Sequence, residues 1–472
     1  MLDEESYLAI ATQLDFARPY DWWRPWPPWG GHHEADAFVY AHPPLHLWWV
    51  TALSHLSLPT SLLKRLSGLP WALLLGASGA LIAQRTCRRP ALAAWVWLTS
   101  PIVLLSLQRG LMPDLPVVAW STAAVAGWLL GGRAAAVGGL CLGLAVWTKY
   151  PALVLVPVFA LDGLARRRLQ PRFWLCAAVL PLLGEAWLWS SYGRPHLWEV
   201  LSRADEIPRG PLPDRTLGLL VRAALLAPLP ALLLGPAGLL LGLAALILAA
   251  SILLTVGAPP TLLTLAATGA LVIILSALAV RSGWRRQDPS FLLGLWVLAA
   301  LSGVALGHNF AGARYLLPAA LPAALLLVTR LESRRSGRIA LWAGGGLWLA
   351  AALLLSWGEH RLASAQVTLA DQAIARWPEG GQFQGEWTFR WRLESAGWRF
   401  YTGSPDGGVI VSAANASPGA PPPGQKIARM VEGGPGVIIV APSHQIGLYG
   451  ETLGAWPAGW GPGPVEEVTA WR

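Results

Sequence analysis

The chain has 472 residues, of which 54% are hydrophobic and 13% charged, and its mean hydropathy is +0.47; an ordinary soluble domain carries about a quarter charged residues. This composition excludes a cytosolic globular enzyme. Apolar runs such as 219–256 and 260–280 are long enough for the roughly 20 helical residues that cross a bilayer core of about 30 Å. The net charge of +9, from 35 Lys and Arg against 26 Asp and Glu, falls in short clusters between apolar runs. It therefore reports membrane topology and not nucleic-acid binding. The cysteines Cys87, Cys141 and Cys176 offer neither a disulfide framework nor a CxxC metal pair.

In chain order, residues 1–65 read as an outer loop with interfacial helices. The run from His42 to Leu58 begins with Pro-Pro and holds His46 and His55, so it predicts a helix lying at the membrane surface and not a span. Residues 66–356 read as a transmembrane bundle of about 12 spans, near 66–84, 91–107, 114–131, 134–148, 150–164, 173–191, 219–237, 238–257, 260–280, 290–307, 314–330 and 339–356. Arginine clusters lie at alternate connections: Arg85, Arg88 and Arg89; Arg133; Arg166 to Arg168; Arg281, Arg285 and Arg286; and Arg330, Arg334, Arg335 and Arg338. The positive-inside rule makes those connections cytoplasmic. Residues 1–65, 192–218 and 357–472 then share the opposite face. Exporting the first 65 residues with no apolar signal before them predicts a further helix upstream of Met1.

From residue 357 Gly and Pro become frequent. A helix is predicted over 362–377, with β-rich runs at 408–412 and 436–441 and a flexible loop at 417–424. The tail is a small soluble α/β domain, and the fold class is a polytopic α-helical membrane protein carrying it.

Ionisable residues of a membrane protein are informative where they gather at one interface. Asp3 and Glu4 precede Tyr7, so one helical turn can present a carboxylate and a phenol together. Asp114 opens a span behind Arg109, Lys149 closes one, and His308 and Arg314 flank an outer turn. All lie at the outer end of the bundle, where a carboxylate beside cations suits a substrate with a lipid tail, a phosphate and a polar head. Each residue also has an ordinary role open to it: an acidic pair is commonly solvated surface, Asp114 can cap its helix, and Lys149 and Arg314 can snorkel. In the loop from Asp21 to Phe38, His32, His33, Glu34 and Asp36 look like metal ligands and Trp22, Trp23, Trp26 and Trp29 like sugar-stacking rings. An aromatic membrane anchor or an acceptor-side lid fits that loop better than a metal site. His196 and Glu199 lie in a second outer loop.

Taken in order, the Asp-Glu pair with its following Tyr, AHPPL, PDLP at a helix start, TKYPALVLVP, GARYLLPAALP and the tail element GEWTFRWRLESAGWRFY resemble the GT-C glycosyltransferases. The groups most similar are the protein O-mannosyltransferases and the bacterial aminoarabinose transferases that use polyprenyl-phosphate sugars. The resemblance implies Asp3 as catalytic base with Glu4 beside it, Asp114 as a second acidic position, and Lys149, Arg314 and Tyr7 as contacts to the donor phosphate or its lipid. His42 stands where the aminoarabinose group often has an acidic residue. A helix expected before the Asp-Glu pair is also missing, and with it the spans would number about thirteen.

The implied activity is transfer of a sugar from a polyprenyl-phosphate carrier to a glycan, lipid or protein acceptor on the extracytoplasmic face of a bacterial inner membrane. Asp3 would take the acceptor proton, with inversion at the anomeric carbon. Lys149 and Arg314 would neutralise the departing phosphate. A divalent metal held by Asp114 with His42 or His196 is a further expectation from ligand type. The partners are the lipid-linked donor, the acceptor and membrane lipids, with no nucleic acid. The rivals are a transporter or flippase of lipid-linked sugars, which would place its charges nearer the bilayer midplane, and a truncated inactive copy.

Overall fold

The computed structural model describes residues 4–21, 38, 42–56, 58–202, 211–227, 243, 245–252, 262–307, 312–403, 408–416, 422–441, 446–448 and 457–472. The chain divides into two units. One comprises residues 14–21 and 36–352, and the other residues 1–13, 22–35 and 353–472. The outer loop expected over 1–65 is thus shared between units: the helix α1 (Glu4–Ala11) groups with the carboxy-terminal residues and packs on a helix there, while the ten-residue α2 (Leu45–Ser54) belongs to the bundle.

The bundle continues with α3 (Thr60–Thr86), α4 (Pro90–Leu98), α5 (Pro101–Leu107), α6 (Asp114–Leu130), α7 (Gly132–Thr148), a 3-10 turn Tyr150–Val154 leading into α8 (Leu155–Ala165), α9 (Pro171–Tyr192) and α10 (His196–Ser202). Next among the described residues come α11 (Leu212–Ala223), α12 (Leu263–Arg286), α13 (Ser290–Gly307), the turn Ala313–Leu316 with α14 (Leu317–Leu331), and α15 (Arg335–Arg376). Among the described residues six helices are long and apolar enough to cross a membrane, or seven if α4 and α5, bent by 70° at Thr99 and Ser100, count as one span. The spans expected at 114–131, 134–148 and 150–164 form as shorter apolar helices.

Two expectations need correction. Of the span expected at 219–237, the described residues form a helix that begins earlier, at Leu212, and passes into a 3-10 turn Ala224–Leu226, and residues 228–237 lie outside the described residues. Ala227 is extended (φ −150°, ψ 129°) because Pro228 follows and disfavours helix at the residue before it. The adjoining span expected at 238–257 lies mostly outside the described residues. The helices expected at 339–356 and 362–377 are one continuous helix, α15. The intervening residues hold no proline, and Gly358, the one weak helix former, admits Val437 and Ile439 where a Cβ would lie about 3 Å from them.

Close approach of helices rests on small residues, as membrane packing requires. A Cβ on Gly139 would lie 2.0 Å from the Phe173 carbonyl oxygen, and one on Gly269 2.0 Å from that of Leu220. Helices α6 and α7 are 17 residues each and are joined through Gly131 and Gly132 at φ +73° and +59°, a conformation L side chains rarely adopt. Gly127 meets Gly138 between them.

In the other unit a five-stranded sheet runs in the order β2 (Arg399–Phe400), β1 (Gln382–Gln384), β3 (Ile410–Ala413), β9 (Glu466–Trp471), β4 (Lys426–Glu432). β1 is parallel to β2 and β3, and β9 is antiparallel to β3 and β4. The small strands β5 (Gly436–Ile438), β6 (Val440–Ala441), β7 (Ile446–Gly447) and β8 (Gly459–Gly461) pair as β5–β8 and β6–β7. The helix α16 (Trp387–Ser395) and the end of α15 bring Phe389, Leu393, Leu369 and Ala373 to the core with Phe383, Val411 and Val468. Strands thus form where residues 408–412 and 436–441 predict them. Most of the loop expected at 417–424 lies outside the described residues.

Along β9 alternate side chains point inward: Glu466, Val468 and Ala470. Glu466 is fully buried, with its carboxylate accepting from the amides of Asn415 (2.8 Å) and Glu467 (3.0 Å) and from Gln366 Nε2 on α15 (3.2 Å). Burial outweighs these donors and pushes its pKa up to about 7. A carboxyl that binds its proton more tightly folded than unfolded stabilises the fold most below pH 4.5, and that contribution is lost as pH rises through about 7. Glu466→Gln stays neutral throughout. Relative to this variant, the wild-type unit is expected to lose about 3 kcal/mol between pH 4.5 and 8, read as diverging thermal midpoints of the solubilised protein.

Candidate functional site

Because α6 and α7 have equal length and run antiparallel, the residue that opens one and the residue that follows the other lie at the same end of the pair. Asp114 opens α6 after Pro113, where a carboxylate favours the helix dipole. Lys149 follows α7 in extended conformation (φ −163°, ψ 125°) ahead of the Tyr-Pro turn. Its Nζ donates to Asp114 Oδ1 at 2.7 Å, and both side chains are buried. Gly110 fits the loop before Asp114 against α3: a Cβ there would lie 1.9 Å from the Lys64 carbonyl oxygen.

The turn before α14 brings a third segment. The Tyr315 ring has Lys149 Nζ 5.2 Å and the Arg314 guanidinium 5.1 Å from its centre, and Arg314 Nη2 donates to the Tyr315 hydroxyl at 3.2 Å. His42 adds a fourth segment. It is half-buried by surface area, yet its imidazole lies so far from water that desolvation, followed by the Lys149 charge, holds it well below the usual histidine pKa and hence neutral. One helical turn on, buried His46 donates through Nε2 to the Leu111 carbonyl (2.7 Å), and burial lowers its pKa to about 4. Four of the residues singled out from the sequence, Asp114, Lys149, Arg314 and His42, therefore share one electrostatic site.

His196 stands next to it in a second network. Tyr150, the neighbour of Lys149, donates its hydroxyl to Glu185 Oε1 (2.7 Å), and His196 Nδ1 lies 2.6 Å from the same hydroxyl oxygen. Since the phenol proton goes to the carboxylate, His196 Nδ1–H is the donor of the second bond. The Leu197 amide also donates to Glu185 (3.1 Å). Tyr20 stacks on His196 (4.9 Å, 10°), and its hydroxyl donates to the His42 carbonyl oxygen (3.1 Å), which ties the two networks together. Sequence reading passed over Glu185, Tyr150, Tyr20 and Tyr315. Glu185 did carry a signal: a carboxylate within the apolar run 173–191 requires a partner.

Glu4, which is buried, and Tyr7 belong to the other unit. Asp3, His308, His32, His33, Glu34 and Asp36 lie outside the described residues. Glu199 lies 3.7 Å from Arg194. Among the described residues no three of His, Cys, Asp and Glu are grouped to hold a metal ion. His196 is bonded to Tyr150, and Asp114 to Lys149.

Removing one member of a buried ion pair strands the other and costs about 3–5 kcal/mol, whereas replacing both with apolar groups is often close to neutral. Lys149→Met is therefore expected to lower the thermal midpoint sharply, and Asp114→Leu/Lys149→Met to restore most of it. Equal loss in both variants would show that the pair is not the source of the stability.

No protein-family model matches the chain, and no curated protein matches it. Among solved structures it is similar to ArnT from Cupriavidus metallidurans, whose crystal structure has undecaprenyl phosphate bound, at 15% identity over 87% of this chain and 88% of that one, with a TM-score of 0.37.

Proposed function

We propose that this chain is a GT-C-type membrane glycosyltransferase that moves one sugar from a polyprenyl-phosphate carrier to a hydroxyl or amine acceptor. The observation that carries the reading is the Asp114–Lys149 pair, joined at one end of the bundle by Arg314, Tyr315 and His42 from separate segments. Among the described residues Lys149 and Arg314 there face Asp114, an arrangement that suits a phosphate whose charge grows as it departs. Lys149 gives one N–H to Asp114 and keeps two for a ligand.

The acceptor oxygen or nitrogen attacks the anomeric carbon from the face opposite the phosphate. As that bond forms, the carbon–oxygen bond to the lipid phosphate breaks, the phosphate carries away the electron pair, and the acceptor proton passes to a carboxylate. The order of motifs along the sequence supports Asp3 as that base, with Glu4 beside it and Tyr7 toward the donor phosphate or its lipid, and back-side attack inverts the anomeric centre. Neutral His42 is a hydrogen-bonding group for the polar head of a substrate. The arginine-rich connections at the other end of the bundle support an extracytoplasmic reaction on a bacterial inner membrane.

The test follows release of free lipid phosphate from purified polyprenyl-phosphate sugars by the solubilised full chain. A native chain that releases none from any sugar tested overturns the transferase reading. Asp3→Asn is expected to lose at least about 100-fold in rate with donor binding retained, as removal of a general base does. Release at the native rate would remove Asp3 from the mechanism. Dialysis against a chelator tests the metal: an unchanged rate would remove Asp114, His42 and His196 as its ligands.

A further inference from the structure

At the opposite end of the bundle, a cavity of about 770 Å³ opens between the carboxy-terminal ends of α3, α12 and α14 and the start of α13. Five arginines line it: Arg88, Arg281, Arg285, Arg286 and Arg330. Its two acidic residues accept from main-chain amides. Glu332 accepts from the amides of Arg88 (3.0 Å) and Arg89 (2.8 Å), and Asp288 Oδ1 from that of Ser290 (2.9 Å). Among the described residues none of the five guanidiniums forms an ion pair. Arginines in last turns complement helix dipoles, which accounts for Arg285, Arg286 and Arg330 singly. It does not account for five of them sharing one cavity unpaired.

The cavity is also graded in polarity along its depth. On one face of α12 its lining runs from Val272 through Leu275 and Ala279 to Ser282 and Arg286, about 21 Å of helix. Leu293 and Leu327 continue the apolar wall. A soluble anion needs only the charged mouth. An amphiphile with an anionic head and an apolar chain directed toward the bilayer middle matches the whole lining.

We propose that this cavity binds one anionic phospholipid, its phosphodiester among the arginines and an acyl chain along Val272, Leu275 and Ala279. The site is separate from the one proposed for sugar transfer, and the lipid is a resident of the bundle and not a substrate.

The full chain is purified, exposed to phosphatidylglycerol or phosphatidylcholine, delipidated stepwise with detergent, and weighed by native mass spectrometry. The wild type is expected to retain one phosphatidylglycerol at least tenfold more persistently than phosphatidylcholine. Arg281→Gln/Arg285→Gln/Arg286→Gln is expected to lose that preference. Arg334→Gln/Arg335→Gln, which removes two arginines outside the cavity at the same end, is expected to keep it. Leu275→Trp/Ala279→Trp fills the apolar wall without touching a charge and is expected to lose the bound lipid. Equal retention of both lipids, an unaffected triple variant, equal loss in the Arg334 and Arg335 control, or lipid kept by the filled variant each overturns the proposal. So does displacement of phosphatidylglycerol by millimolar inorganic phosphate, which would mark a plain anion site.

Discussion

An ion withdrawn from both water and lipid must be met by a partner of opposite charge, and in this bundle the bond between Lys149 and Asp114 meets that demand. Much of the surrounding architecture serves to keep those two atoms together. Glycine contacts hold α6 and α7 close enough for their ends to coincide. The extended backbone of Lys149 turns its side chain out of the helix line, and the following Tyr-Pro turn ties that backbone to Glu185 and His196. Tyr315 then offers the electron-rich face of one ring to both Lys149 and Arg314. The result is a polar site built from helix ends, where backbone groups are unsatisfied and a charge is least costly.

The bundle divides its charges by end. Asp114, Lys149 and Arg314 lie where α6 and α14 begin and α7 finishes, whereas the arginine-lined cavity lies where α3, α12 and α14 finish. α14 runs between the two, with Arg314 just before its start and Arg330 in its last turn. One end pairs its cations with a carboxylate and an aromatic ring; at the other, the five arginines of the cavity form no ion pair among the described residues. That asymmetry fits a fold asked to do different things at its two membrane surfaces.

Most of the membrane helices were legible because a long apolar run between arginine clusters can satisfy its backbone in lipid only as a helix. Asp114, Lys149 and Arg314 were legible for a related reason, as charges that interrupt apolar sequence. Helix ends set by neighbours were not. A continuous α15 requires knowing that Val437 and Ile439 pack against Gly358, and the extended backbone at Ala227 turns on the proline that follows it. Tyr150, Tyr20 and Tyr315 were silent because a tyrosine near an interface is ordinary in any membrane protein. Only the approach of separate segments gives these three a role. The strands at 408–412 and 436–441 stood out by β-branched content, but the inward turn of Glu466 followed only from its register on β9.

The matched lengths of α6 and α7 carry an evolutionary consequence. A single residue inserted within either helix would turn everything beyond it by about 100° and shift it by about 1.5 Å, swinging Lys149 away from Asp114 while leaving the apolar character of both helices intact. Such a change would be invisible to hydropathy. Extra residues at the Gly131–Gly132 turn would leave the register untouched, so length variation among descendants of this chain should collect at that turn and spare the helices on either side.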